Sequence, residues 1–233
     1  MKALLKKELQ YYFNNPIGYI VIGLFAVSAN FLYLKDLFAV GSASLQPFFG
    51  ILPWLSLIFI PAITMRMFAE EKRTNTIELL LSFPISELQI VVAKFLALCL
   101  LILIGLGLTL ALPVSLAVLT KLYLPEILVG YFGTFLFMAS FCGISLFFSA
   151  QTKNQVVALL ISVVVLFILV TLGSDFLSNI LPQALQNTVS MVSPTYHLQN
   201  FVKGVIDIRS LFYFISLIAV GLFMTIISIE KRD

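Results

Sequence analysis

The sequence predicts an all-α, polytopic membrane protein, and three observations predict it. Hydrophobic residues make up 61% of the 233-residue chain and charged residues 11%, where an average soluble domain carries about 25% charge. The charges are clustered, so long uncharged runs alternate with short charged punctuation, the pattern of a chain whose solvent is a bilayer. Six runs are long enough to cross a hydrocarbon core about 30 Å thick at ~1.5 Å per residue. No polar stretch is long enough to build its own core, so residues 1–233 read as one transmembrane domain.

The expected spans are Ile17–Leu34, Phe48–Met65, Phe95–Leu119, Ile127–Ala150, Val156–Gly173 and Leu211–Ile229. None carries a charge in its interior. Pro53, Pro61 and Pro113 fall inside spans, where each removes a backbone donor and predicts a kink or break. The lysines before the first run resemble the start of a signal peptide, but that run is too long for one and lacks a cleavage site. Counting Lys and Arg orients the bundle. With the N-terminus inside, Lys2, Lys6, Lys7, Arg66, Lys72, Arg73, Lys94, Lys153, Lys231 and Arg232 are inner. Only Lys35, Lys121, Lys203 and Arg209 are then outer, so both termini are expected in the cytoplasm.

Three segments outside the spans have character. In Ala3–Asn15, Leu5, Leu9, Tyr12 and Phe13 follow helical spacing on one side, with Lys6, Gln10 and Asn14 on another. That predicts an amphipathic helix at the inner interface ended by Pro16, or an extension of the first span. The segment 66–94 is the one strongly charged stretch. Within it Asn75 suits a left-handed helix end, Thr76 and Glu78 suit the start of a new short helix, and Pro84 stops that helix. Leucines 79–81 beside those charges suggest docking to the interface or to a partner. The segment 174–210 is too polar to span and too apolar for a free loop. It predicts short helices re-entering the outer leaflet or covering the mouth of the bundle.

Several function classes are excluded. There is no G-x-x-x-x-G-K-[ST], so the chain binds no ATP by a P-loop, and no G-x-S-x-G, H-E-x-x-H or C-x-x-C appears. His197, the sole histidine, has no ligand-spaced companion and reads as a surface or capping residue. Cys99 and Cys142 lie in separate apolar runs and read as packing residues. The uncharged spans disfavour an ion-coupled carrier, which keeps ionisable groups at mid-membrane. Small-x-x-x-small pairs, Ala139 with Gly143 and Ser145 with Ser149, predict close packing within the chain ahead of a dimer seam; Gly105 and Gly107 mark the third span in the same way.

The run Phe68-Ala69-Glu70-Glu71-Lys72-Arg73-Thr74-Asn75-Thr76-Ile77-Glu78-Leu79-Leu80-Leu81-Ser82-Phe83-Pro84-Ile85, with Lys94 beyond it, resembles the cytoplasmic motif of ABC-2-type transporter permeases. That motif has an acidic pair, basic residues, Gly-Thr-x-Glu-x-Leu-Leu, a proline and a lysine opening the third span. Asn75 stands where the family usually has glycine. Six spans, the amphipathic N-terminus and the stretch from Ser193-Pro194 to Gly204-Val205-Ile206-Asp207 are also similar, especially to the short permeases of gliding motility and nitrous-oxide-reductase maturation. The resemblance implies the permease half of an ATP-driven exporter in the bacterial inner membrane. Its partners would be a cytoplasmic ATPase, a second permease copy or a related permease, and the lipid bilayer, with no nucleic acid. This chain would bind no cofactor; ATP and Mg would sit on the ATPase. Carried over residue by residue, Glu70, Glu71 and Arg73 become polar contacts, Thr76 and Glu78 helix-start residues, and Leu79 and Leu80 docking anchors. The alternative expectation is a membrane scaffold that transports nothing.

Overall fold

The computed structural model describes residues 2–40, 44–82, 85–119, 123–173 and 191–230, which are helical with no strand among them. In chain order they form α1 Lys2–Asn14, α2 Pro16–Val40, α3 Gln46–Thr64, α4 Arg66–Arg73 and α5 Thr76–Ser82. Then come α6 Glu87–Thr109, α7 Ala111–Leu119, α8 Leu124–Gln151, α9 Gln155–Thr171, α10 Pro194–Val202 and α11 Ile208–Glu230. The expected all-α, polytopic class is the observed one.

The prolines divide the helices as their chemistry requires. Pro113 cannot donate to the Thr109 carbonyl, and the long third apolar run breaks there, between the end of α6 at Thr109 and the start of α7 at Ala111. Pro53 and Pro61 both stay inside α3, which ends at Thr64 and turns through Met65 into α4. Asn75 adopts the left-handed conformation (φ 55°) between α4 and α5, the conformation expected of it. Ser86 caps α6 by accepting from the Gln89 amide.

Hydrogen bonds between remote segments show which helix ends share a face. At one face, here the basal face, Ser149 near the end of α8 meets the α3–α4 junction, and Ser228 near the end of α11 donates to the Ala150 carbonyl. At the opposite, distal face, Gln46 at the start of α3 donates to Glu126 near the start of α8 (3.0 Å). There too Thr195 of α10 donates to the Val170 carbonyl near the end of α9. Both described ends of the chain therefore lie at the basal face. Among the described residues six helical passes join the faces: α2, α3, α6 with α7, α8, α9 and α11.

Five of the passes are long and apolar enough to cross a membrane: Pro16–Lys35, Gln46–Arg73, Glu87–Val118, Leu124–Gln151 and Ile208–Glu230. The expected fifth span is shorter than read, a 17-residue helix over Gln155–Thr171. At ~1.5 Å per residue it reaches about 26 Å, the short end of what crosses a bilayer. Residues 174–190 of the expected re-entrant segment lie outside the described residues; its second half is α10, whose Pro194, Leu198 and Phe201 are buried.

The core is organised around α8, which packs on α3, α4, α6, α9, α10 and α11. The small-residue pattern serves this packing: a Cβ added at Gly221 of α11 would sit 2.5 Å from the Gly143 carbonyl carbon of α8. The two backbones touch, so Gly143 has an intrachain partner. Cys99 and Cys142 are buried and unbridged, as packing residues are.

Candidate functional site: the basal ion cluster and the exposed turn

Lys94 is the eighth residue of α6 and only 1% exposed, although the sequence placed it at the end of a span. The helix starts at Glu87, so the residue lies inside it. The Lys94 ammonium donates to Glu8 of α1 (3.0 Å) and to Glu71 of α4 (2.9 Å). It also lies 5.1 Å from the centre of the Phe68 ring, whose face attracts a cation. At the rim, the mostly exposed Lys7 ammonium is 3.8 Å from the same Glu71 oxygen.

Such a cluster is stable only when complete. Removing charges from water costs several kcal/mol per ion, and only a full set of close partners offsets it. Here one ammonium bridges two carboxylates from separate helices, and Lys7 brings the group to neutrality. Three elements, α1, α4 and α6, are thereby tied at one point.

This arrangement adds Glu8 to the reading of α1. Its buried stripe is Leu4, Glu8 and Tyr12, one residue every turn, with Leu5 and Leu9 packed beside it. Phe13, expected on the apolar side with Leu5 and Leu9, is 37% exposed and lies off this stripe. Glu8 was missed because a carboxylate at the centre of a buried stripe makes sense only once its partner, 86 residues away, is known.

α1 is held to α4 at further points. The Tyr11 hydroxyl donates to Glu70, and burial together with that carboxylate pushes the Tyr11 phenol up to about 12, so it remains a donor at ordinary pH. The Tyr12 hydroxyl donates to the Ile63 carbonyl at the end of α3. Below them, Ser149 of α8 accepts from the Phe68 and Ala69 amides and donates to the Met65 carbonyl. Those amides belong to the first turn of α4, which Ser149 thereby fastens to α8.

The expected contact residues fall into two groups. Arg73, Thr76 and Glu78 are exposed, on and beside the turn through Thr74 and Asn75. Thr76 opens α5 and its hydroxyl reaches the Glu71 carbonyl and the Thr74 hydroxyl; Glu78 lies in the first turn, where a carboxylate suits the helix dipole. Glu71, in contrast, is turned inward onto Lys94, and Glu70 is engaged by Tyr11. Leu80 is 8% exposed and packed into this chain's own core, so it is not an outward docking anchor. It is drawn inward because Ile77, one turn earlier, packs against the same core. The side chain of Leu79 lies outside the described residues.

The distal face holds the other polar cluster. His197 stacks on Tyr213 with 4.2 Å between ring centres. Its Nδ1 pairs with the Ser210 hydroxyl at 3.0 Å and its Nε2 with the Met191 carbonyl at 2.9 Å. Both ring nitrogens are thus used within the protein, and no group of metal-binding residues forms among the described residues.

A family model described as ABC-2 family transporter protein matches residues 1–229. No curated protein matches the chain.

Proposed function

From the premise that this chain belongs to the ABC-2 transporter family, and is therefore a multi-pass permease component of an ABC transporter, we propose how it is driven. A separate cytoplasmic ATPase docks on the basal face at the turn between α4 and α5, presenting itself to Arg73, Thr76 and Glu78. Two permease chains form the pathway, as two copies of this one or one copy with a relative. ATP and Mg are held by the ATPase, and the cycle exports its cargo from the cytoplasm across a bacterial inner membrane.

The observation that carries this reading is the contrast between an exposed turn and its buried footing. The turn projects with Arg73, Thr74, Asn75, Thr76 and Glu78 all exposed. Two residues before it, Glu71 grips Lys94 inside α6. A push on the turn is therefore delivered to a membrane-spanning helix, and through Glu8 to α1, without crossing a flexible linker. The Asn75 backbone keeps the turn tight, since a left-handed residue reverses the chain in one step. The lysines and arginines of the basal face support a cytoplasmic placement for it.

The test is retention of an ATPase. The tagged chain, isolated from its native membrane, is expected to bring with it a P-loop protein and to support ATP-dependent cargo movement in vesicles. Reversing both exposed charges, Arg73→Glu with Glu78→Lys, is expected to release that protein while leaving the melting temperature within a few degrees. Retention of the ATPase by the reversed variant overturns the docking assignment. An ATPase partner without ATP-dependent movement favours the scaffold instead.

A further inference from the structure

The sides of α1 meet different surroundings. Its buried stripe fastens it across the basal ends of two membrane-spanning helices. The Tyr12 hydroxyl donates to the Ile63 carbonyl at the end of α3, and Glu8 accepts from Lys94 in α6. One flank faces the α4–α5 turn, because Lys7 and Tyr11 line a cleft there with Thr74 and Thr76. The outer face is a separate surface. At about 100° per residue, Lys2, Lys6 and Phe13 fall within about 40° of one another, and more than about a quarter-turn from Lys7 and Tyr11. All three are exposed.

Phe13 shows what this outer face meets. Its ring pairs with Tyr19 in the first turn of α2, with centres 5.8 Å apart. Tyr19 heads a row with Ile20, Leu24, Val27 and Phe31, each more than half exposed, on a helix long and apolar enough to cross a membrane. Such a row faces acyl chains, and a tyrosine at its basal end stands at headgroup level, where interfacial aromatic residues collect. Phe13 therefore brings the Lys2–Lys6 side of α1 to the edge of the bilayer. The charge on that side is uncompensated. The single carboxylate of α1 is Glu8, which is buried on Lys94, and among the described residues neither Lys2 nor Lys6 has an ion-pair partner.

We propose that the outer face of α1 binds anionic phospholipid headgroups of the basal leaflet. Lys2 and Lys6 meet the phosphodiester charge, and Phe13 and Tyr19 seat the helix beside it. A lysine stem lies along the apolar boundary while its ammonium stays at phosphate level. A zwitterionic headgroup brings its own ammonium next to its phosphate, whereas an anionic one offers net negative charge, so this face selects lipids by charge. Glu8 lies on the same helix, so lipid that holds α1 on the leaflet also holds Glu8 on Lys94. The inference rests on the membrane placement of the chain and not on where the ATPase docks.

The first experiment is native mass spectrometry of the full chain in detergent, with phosphatidylglycerol and phosphatidylcholine of one acyl composition in competition. Phosphatidylglycerol is expected to be retained preferentially. Lys2→Gln and Lys6→Gln are each expected to lower that preference about fivefold, and Lys2→Arg with Lys6→Arg to keep it. No preference in the unmodified chain overturns the proposal, as does a preference that the glutamine variants keep or the arginine pair loses. The second experiment asks which way the face points. Phe13→Trp in a Trp54→Phe background places a single indole there, in vesicles whose acyl chains are brominated near the headgroup. Quenching by the bromines is expected. An indole screened from the bromines and reached by aqueous iodide puts this face in water or on a soluble partner, and overturns the proposal.

Discussion

At the basal face, Lys94 holds two carboxylates that lie 86 and 23 residues away in sequence. At the distal face, Ser210 meets His197 and Asn200, 13 and 10 residues away, through neutral hydrogen bonds, and Asn200 also reaches Asp207. The first cluster ties three separate elements together with charge. The second staples a short helix, α10, to the start of the helix that follows it. A charged tie among remote elements makes them move as one body, since separating them strands a buried ion. A local neutral staple shapes one end of the bundle and links little else. The difference makes the basal face the place where remote elements are tied together and the distal cluster a local fastening.

The comparison predicts a ranking of costs, beginning with its charged end. Lys94→Met leaves Glu8 buried without a cation and Glu71 with only the exposed Lys7 at its rim. The loss is expected to be about 3–5 kcal/mol, the cost of breaking a buried pair from one side. The falling melting temperature in detergent should be accompanied by proteolysis of α1. Neutralising the whole set, Lys94→Met with Glu8→Gln and Glu71→Gln, is expected to recover much of the stability and none of the transport. If the single and triple variants melt alike, the cluster carries no charge-dependent stability and the contrast between faces fails.

The neutral end comes next. Ser210 is fully buried, and Ser210→Ala leaves His197 Nδ1 and Asn200 Nδ2 each short of a partner. The expected cost is about 1–3 kcal/mol, as for unsatisfied neutral groups. α1 is expected to stay as protease-resistant as in the unmodified chain, because nothing at the distal face touches it. Loss of α1 protection in this variant would falsify the separation of the two faces.

Much of this was legible in the sequence, and what escaped shares one physical cause. The helical class, the break before Pro113 and the left-handed Asn75 are local: each follows from a residue and its neighbours within about four positions. The extra eight residues at the start of α6 were hidden because Lys94 looked like the natural edge of an uncharged run. The sequence carried a weak hint of more, namely a carboxylate set one turn from both Leu4 and Tyr12. Turning that hint into a buried ion pair needs Lys94, and no period in the sequence points across 86 residues. Leu80 misled for the converse reason. An apolar run beside charges looks exposed until Ile77 is seen packing against the core.

The smallest expected effect tests the link between the faces and the proposed drive. Asn75 holds a left-handed backbone on the exposed turn and is the single non-glycine residue to do so among those described. A residue with an ordinary Cβ loses about 1–2 kcal/mol in that conformation, and asparagine loses less because its short side chain bonds locally. Asn75→Ala is therefore expected to cost about 1 kcal/mol, and Asn75→Gly to cost nothing or to stabilise slightly. Neither variant touches the Glu71–Lys94 tie, so the footing stays in place while the turn above it changes stiffness. If the turn passes force into α6, the alanine variant loses transport out of proportion to its small loss of stability, and the glycine variant keeps it. Transport that follows only the melting temperature across both variants would show that the turn's shape is irrelevant to coupling. The basal cluster would then be a structural tie alone, no different in kind from the staple at the other end.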